Sequence, residues 1–299
     1  MPSRSGPKIR FAIILLVIAS ACLIAVLLAC PPSTGRKEKP SAPSENPLTP
    51  PSRTGGEATA PPPASRPERP EGRGILVVVI DDAGYNLEEL EPFLALSGPL
   101  TVAVLPNLPH SGEAARRVRE AGKDLILHCP MEAQGGEDPG PGALRTDQSP
   151  QEIERLLAAA FASVPGAAGM NNHMGSKATA DEALMTAVMR FLKKEGKLFL
   201  DSRTSSATVG EAMAMRAGVP YIRRDLFIDV GKSGDEIAQA FSAGIEIART
   251  RGFAVIIGHV QNRGALDILR KGEQGLGDEG VRLARLSEIL ENRKREPAQ

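Results

Sequence analysis

Two aspartates, Asp81 and Asp82, stand side by side directly after the apolar run Ile75–Ile80. Adjacent carboxylates repel unless a cation or hydrogen-bond donors neutralise them. A metal ion would do this by binding one and leaving the other free as a base. The chain has four histidines, and three of them, His128, His173 and His259, likewise follow short apolar segments. Aspartate with neutral imidazoles suits Zn2+ or another divalent ion that keeps a position open for water. Such an ion beside a free carboxylate is a hydrolytic arrangement. His259, from the last strand, could face Asp81 and Asp82 as a general acid if that strand neighbours the first. The bland alternatives are that the aspartate pair caps a helix beginning near Asn86 and that each histidine is structural. They fit the residues singly but fit three histidines at strand ends poorly. His110, in a Leu-Pro-His-Ser stretch before a helix, reads as a loop residue.

These residues need a scaffold that brings strand ends together. From Gly74 onward, short β-rich runs alternate with amphipathic segments. Strands are expected at 75–80, 100–105, 124–128, 167–170, 197–201, 219–222 and 253–258. Helices are expected at 87–96, 112–121, 151–163, 181–195, 209–217, 235–251 and 281–292. Ser149-Pro150 and Thr179 with Glu182 supply helix-entry signals, and the Gly/Pro-rich stretch 132–146 reads as a long surface loop. Runs such as ILVVVI are apolar at every position, as in a parallel sheet covered on both faces, and the alternation points to an α/β barrel or a doubly wound sheet. Nearly every residue with chemical capacity falls at the C-terminal end of a strand, the edge where parallel α/β folds build active sites. Besides the aspartates and histidines, that edge carries Glu132, Asn172, Asp201, Ser202, Arg203, Arg224 and Asp225.

The rest of the chain is of other kinds. The 36 basic and 36 acidic residues cancel, but residues 1–73 are basic and residues 74–299 mildly acidic. A nucleic-acid partner is therefore disfavoured, since phosphate neutralisation needs a basic face. The uncharged run Phe11–Ala29 is just long enough to span a bilayer, and the basic residues Arg4, Lys8 and Arg10 before it place the remainder outside the cytoplasm. Residues 1–30 are thus expected to be a membrane anchor or signal segment, retained, lipidated at Cys30 or cleaved. Residues 31–73 hold 12 of the 25 prolines and read as a disordered linker. Residues 74–299 form the folded domain, in which Cys129 is alone, so no disulfide forms within it.

The motifs IDDAGYN, HCPME, NNHMGS, FLDSRT, RRDLFID and IGH, in that order between Ile75 and Leu290, resemble the divergent polysaccharide deacetylase family. This is a YibQ-like branch of the NodB-homology class. The resemblance implies an irregular seven-stranded parallel (β/α) barrel and a metal-dependent hydrolase that deacetylates amino sugars of a polysaccharide, with a divalent ion, Zn2+ by preference. It implies Asp81 as catalytic base, Asp82 and His128 as metal ligands and His259 as general acid. In the class a second histidine follows the first by four residues; Glu132 stands there, so the third ligand is either Glu132 or His173, the latter keeping the charge at the metal lower. The Arg-Pro-Tyr of the class's third motif is replaced by Asn172-His173-Met174. Asn172, Asp201, Ser202, Arg203, Arg224 and Asp225 become candidates for substrate contacts, the arginines and Asp225 alternatively for an ion-pair network bracing the barrel. The partner implied is a cell-envelope glycan, met on the periplasmic side by a domain tethered to the inner membrane. The other reading is an inactive metal- or glycan-binding envelope protein on the same fold.

Overall fold

The computed structural model describes residues 74–289 except Gln274. The expected anchor at 1–30 and linker at 31–73 lie outside the described residues, among which no helix is long and apolar enough to cross a membrane.

Nine strands form one parallel sheet. In chain order they are β1 (Gly74–Ala83), β2 (Thr101–Val104), β3 (Asp124–Met131), β4 (Gly169–Met174), β5 (Leu198–Asp201), β6 (Tyr221–Arg223), β7 (Leu226–Phe227), β8 (Phe253–His259) and β9 (Val281–Leu283). The hydrogen-bonded order is β6-β5-β4-β3-β2-β1-β8-β7, with β9 alongside β1. Between the strands run α1 (Leu87–Leu94), α2 (Ser111–Glu120), α3 (Pro150–Ser163), α4 (Glu182–Lys194), α5 (Gly210–Ala217), α6 (Gly234–Arg251) and α7 (Arg263–Gly272).

All seven expected strands are present, and β8 is the neighbour of β1, with His259 in register with Asp81. The sheet curls into a half-barrel but its ladder stays open between β6 and β7. There the chain crosses over: the Arg224 amide donates to the Asp201 carbonyl (2.9 Å) and the Asp225 amide to the Val255 carbonyl (2.8 Å). Three expectations are corrected. Strands β7 and β9 and helix α7 were not foreseen. The segment 281–292 is not a helix from its start, because Val281–Leu283 pairs with Gly74–Leu76 and helix begins only at Leu286. Asp181, not Thr179, caps α4, its carboxylate accepting from the Leu184 amide at 2.7 Å, while Thr179 is buried and donates to the Gly175 carbonyl.

Side chains alternate between the two faces of a strand, and the core divides accordingly. Val77, Val79, Ala103, Ile126, Leu198, Leu200, Ile222, Val255 and Ile257 meet inside the curl, closed at one end by Ala284, Leu286 and Ile289. The other parity, including Val78, Ile80, Val102, Leu127, Met170, Phe199 and Ile256, packs in the layer under the helices. This double burial is why the strand sequences are apolar at every position. Gly169 at the start of β4 has no room for a side chain, because a Cβ there would lie 2.3 Å from Leu198 Cγ and 2.5 Å from the Leu198 carbonyl oxygen. Gly169→Ala is expected to push β4 from β5 and cost about 2 kcal/mol, seen as a fall in Tm of about 4–8 °C; an unchanged Tm would contradict this packing.

Candidate active site

Two residues further along each strand, the inward column turns from apolar to polar. Asp81 follows Val77 and Val79; His128 follows Ile126; Ser202 follows Leu198 and Leu200; Arg224 follows Ile222; His259 follows Val255 and Ile257. On β4, Asn171 and His173 share the face of Gly169, opposite to Met170. The site is the top layer of the barrel interior.

Asp82 breaks the alternation. Its φ is +66°, and the register between β1 and β2 shifts between Ile80 and Ala83. A bulge of this kind re-aims a side chain, and here it turns the second carboxylate towards the same layer as the first. The next helix takes its cap from Asn86, whose Oδ1 accepts from the Glu88 amide at 2.8 Å, so neither aspartate is spent on capping. Met174 (φ +54°) and Arg203 (φ +48°) are also left-handed, so three of the strand ends around the site hold backbone strain, each costing about 1–3 kcal/mol.

Asp82 Oδ1 lies 3.1 Å from His128 Nε2 and 3.1 Å from His173 Nδ1, and the two nitrogens are 3.1 Å apart. The three atoms form a nearly equilateral triangle, yet Oδ1 is buried and accepts no well-directed hydrogen bond. Donors bound at about 2.0–2.1 Å to one ion, at angles between octahedral and tetrahedral, lie about 3.0–3.4 Å apart. The triangle therefore fits a divalent cation in its edge lengths, its orphaned oxygen and its donor chemistry. Asp82, His128 and His173 are the one such cluster among the described residues.

Glu132 is not part of it. Strand β3 continues through Met131, so a residue four beyond His128 lies about 13 Å further along. Its Oε2 accepts from the Thr146 amide and hydroxyl (both 2.8 Å), and Oε1 pairs with Lys177 Nζ (2.8 Å). The bond to Lys177 and the Thr146 amide hold its carboxyl down at about 2. Glu132 fastens the 132–146 loop to its strand.

Asn171, which the sequence did not single out, organises the layer. Its Oδ1 lies 2.8 Å from His128 Nδ1, which fixes that nitrogen as the donor and presents Nε2 to the triangle. Its Nδ2 donates to Asp81 Oδ1 (2.8 Å) and Ser202 Oγ (3.2 Å). Asp81 is buried, with Oδ2 at 3.7 Å from His128 Nε2. Burial raises its pKa, against the opposing pull of His128, His259 and Asn171. For Asp82 burial acts in the same sense but is outweighed by His128 and His173, and its pKa falls. Two neighbouring carboxylates are thus driven apart, the pattern that assigns a base and a permanent anion. His128 is raised: burial alone would lower it, but Asp81 and Asp82 prevail.

His259 is held by Asp229, another residue the sequence reading passed over although it closes the motif RRDLFID. Asp229 Oδ1 lies 2.9 Å from His259 Nδ1 and Oδ2 accepts from the His259 amide at 2.7 Å. The carboxylate side chain is 1% exposed and the imidazole 25%. Burial lowers the imidazole pKa, but Asp229 and then Asp81 outweigh it, and the net shift is upward. Nε2 is left free to exchange a proton.

The remaining candidates divide by face. Asn172 and Asp201 belong to the outward parity and brace the strand ends. Asn172 Oδ1 accepts from the Ser202 amide (2.9 Å) and its Nδ2 donates to the Met174 carbonyl (2.7 Å). Asp201 accepts from the Arg203 amide (2.7 Å), Thr208 (2.8 Å) and Tyr221 (3.2 Å). Asp225 pairs with Arg251 and accepts from the Val255 amide (2.8 Å), tying the crossover to β8. In the structure these three side chains are bonded within the protein. Ser202 and Arg224 lie in the inward layer, whereas Arg203 contributes a backbone bend. His110 is exposed just before α2. Cys129 is buried and its thiol pushed up to about 12, which makes it inert.

The model of the family described as "Divergent polysaccharide deacetylase" matches residues 78–290. The uncharacterized protein YibQ of Escherichia coli (strain K12) is 38% identical over 190 residues, covering 62% of this chain and 58% of that protein. The chain thus spans less than two thirds of that relative. An uncharacterized protein of Haemophilus influenzae is 33% identical over 219 residues, 73% of this chain and 78% of its own. A crystal structure of an uncharacterized protein from Agrobacterium tumefaciens C58 shares the fold with a TM-score of 0.70 at 20% identity, covering 73% of this chain and 89% of that one.

Loss of an outer residue that orients a metal ligand weakens binding about 10–100-fold. Asn171→Leu, which keeps volume but releases His128 and Asp81, is expected to lower affinity for Zn2+ by that factor in a calorimetric titration. Affinity within twofold of the parent would show that Asn171 does not hold His128 for a metal.

Proposed function

The chain belongs to the divergent polysaccharide deacetylase family, and on that premise we propose that it is a metal-dependent hydrolase removing acetyl groups from amino sugars of an extracytoplasmic glycan. The observation that carries this reading is the arrangement itself. The Asp82, His128 and His173 triangle is flanked by a second carboxylate, Asp81, outside the triangle, and by the His259–Asp229 pair one strand away in register with Asp81.

Asp82, His128 and His173 would hold the divalent ion, Zn2+ being the best match to one carboxylate and two imidazoles. When bound, it would supply Lewis acidity towards the acyl carbonyl and a lower pKa for water. Asp81 takes the proton from the attacking water. Its raised pKa makes it a stronger base than an exposed carboxylate, and Asn171 keeps its Oδ1 fixed. As the C–N bond breaks, His259 gives its proton from Nε2 to the departing amine while Asp229 stabilises the imidazolium. Acetate and the free amino sugar result.

The envelope location rests on the run Phe11–Ala29 and the basic residues before it, with the Pro-rich stretch 31–73 spacing the domain from the inner membrane. A tethered domain of this kind would meet periplasmic glycan.

The reading is tested by metal analysis of the purified protein and by acetate release from N-acetylglucosamine oligomers and peptidoglycan fragments. Asp81→Asn is expected to keep metal occupancy and lose at least about 100-fold in turnover. His173→Ala is expected to lose the metal and turnover together. Tight Zn2+ binding by the parent with no acetate released from any of these glycans would leave the fold as a metal- or glycan-binding envelope protein.

A further inference from the structure

Arg224 is the cation of the inward polar layer, and it is in salt-bridge contact with no described carboxylate, although Asp201, Asp225 and Asp81 act on its charge from further off. It leaves β6 two positions after Ile222 and its guanidinium is fixed on three sides. Nε donates to the Ser202 carbonyl (2.6 Å), Nη2 donates to the Arg203 carbonyl (3.0 Å), and the guanidinium carbon sits 3.8 Å from the centroid of Phe227. Phe227 stacks in turn on His259, ring centroids 5.6 Å apart. The guanidinium is thus locked as a layer above the ring that supports the general acid.

Of the carboxylates that act on it, Asp81 forms no ion pair with it, its Oδ1 accepting from Asn171 and its Oδ2 facing His128, and three other carboxylates are bonded elsewhere. Asp225 pairs with Arg251, both oxygens of Asp201 are occupied by Arg203, Thr208 and Tyr221, and Asp229 holds His259. Arg224 forms no ion pair with a described residue. Burial and then the charge of Arg203 lower its pKa against the pull of Asp201, Asp225 and Asp81, while the backbone carbonyls fix its orientation. Nη1 has no hydrogen-bond partner and is not fully buried, so this end of the guanidinium is accessible. A brace would use its whole fork; here one edge is left free.

We propose that Arg224 is an anion-reading residue of the site and that it takes a carboxylate carried by the glycan, so that the substrate is an acidic N-acylated polysaccharide. A planar carboxylate matches a guanidinium edge in shape and charge. A phosphate is tetrahedral, so it matches that planar edge less well, and its second negative charge brings more of the repulsion of Asp81 and Asp82 than a carboxylate meets. The assignment rests on the deacetylase reading for the acyl group, but the carboxylate contact stands on its own geometry.

The experiment is a calorimetric comparison on the full-length protein. It uses a tetrasaccharide alternating N-acetylglucosamine with glucuronic acid, the neutral N-acetylglucosamine tetramer, and glucosamine phosphate. The acidic tetrasaccharide is expected to bind the parent about tenfold more tightly than the neutral one, as a charge-assisted hydrogen bond allows. Arg224→Gln should erase that preference by weakening the acidic ligand alone. Arg224→Lys keeps the charge without the planar edge and should retain only a small part of it, which serves if the glutamine variant fails to fold. Equal binding of the two tetrasaccharides by the parent, no binding of either, or equal weakening of both by Arg224→Gln would overturn the proposal. So would tighter binding of the phosphate. Acetate release is followed in parallel: Arg224-dependent binding without acetate sinks the deacetylase reading alone, and acetate from the neutral tetramer without acid preference sinks the Arg224 assignment alone.

Discussion

Two carboxylates on consecutive residues are turned into one buried layer, and the rest of the site depends on how their repulsion is met. Asp81 is 1% exposed, and the bulge with φ +66° at Asp82 brings the second charge beside it. Asp82 is met by two imidazoles at 3.1 Å, Asp81 by the amide of Asn171. The asymmetry separates their behaviour: one carboxyl is pushed towards its protonated form and the other away from it. That division is set by local partners, not by residue type. The bulge is what allows this, since regular alternation would have put Asp82 on the face of Val78 and Ile80 in the apolar layer under the helices.

The half-barrel contributes a rule of position. Inward columns are apolar through the barrel's middle and polar in their last layer, so the same alternation that builds the core delivers the site. The register supports this. Asp81 lies opposite His259 across β1 and β8, and His128 opposite Asn171 across β3 and β4. The open ladder between β6 and β7 matters for the same reason. The crossover at Arg224-Asp225 is anchored on both sides, by Asp201 and by Val255, and so Arg224 keeps its place in the layer without a continuous strand pair.

Much of this was legible in the sequence. Continuous apolar runs showed a doubly covered parallel sheet, and polar residues after each run showed the edge that carries the chemistry. What could not be read was phase. Asn171 and Asn172 are adjacent and chemically identical, yet only the first faces inward, and the choice depends on Met170 packing under the helices. The same applies to Ser202 against Asp201. Glu132 stood at a familiar spacing from His128, but that spacing closes a metal site only if the strand ends at the histidine; β3 runs on to Met131. Asp229 was hidden because its partner comes from a different strand, thirty residues on. The terminal strand β9 was masked by a helix-like pattern whose first three residues find a free edge of β1 instead.

Charge balance links these parts. Asp229 and protonated His259 form a neutral pair, which leaves Asp81 and Asp82 against His128 and His173. With no cation in the triangle, the layer attracts a proton to His128, whose pKa is raised by the two aspartates. That proton and a divalent ion compete for the same nitrogen, because Nδ1 of His128 is committed to Asn171 and only Nε2 faces Asp82. Binding of an ion there would therefore expel a proton. An ion of charge two would balance both aspartates with the histidines neutral, and Arg224 would then be the surplus charge of the layer. The site would favour negative charge, whether on a glycan carboxylate or developing on an acyl oxygen during attack.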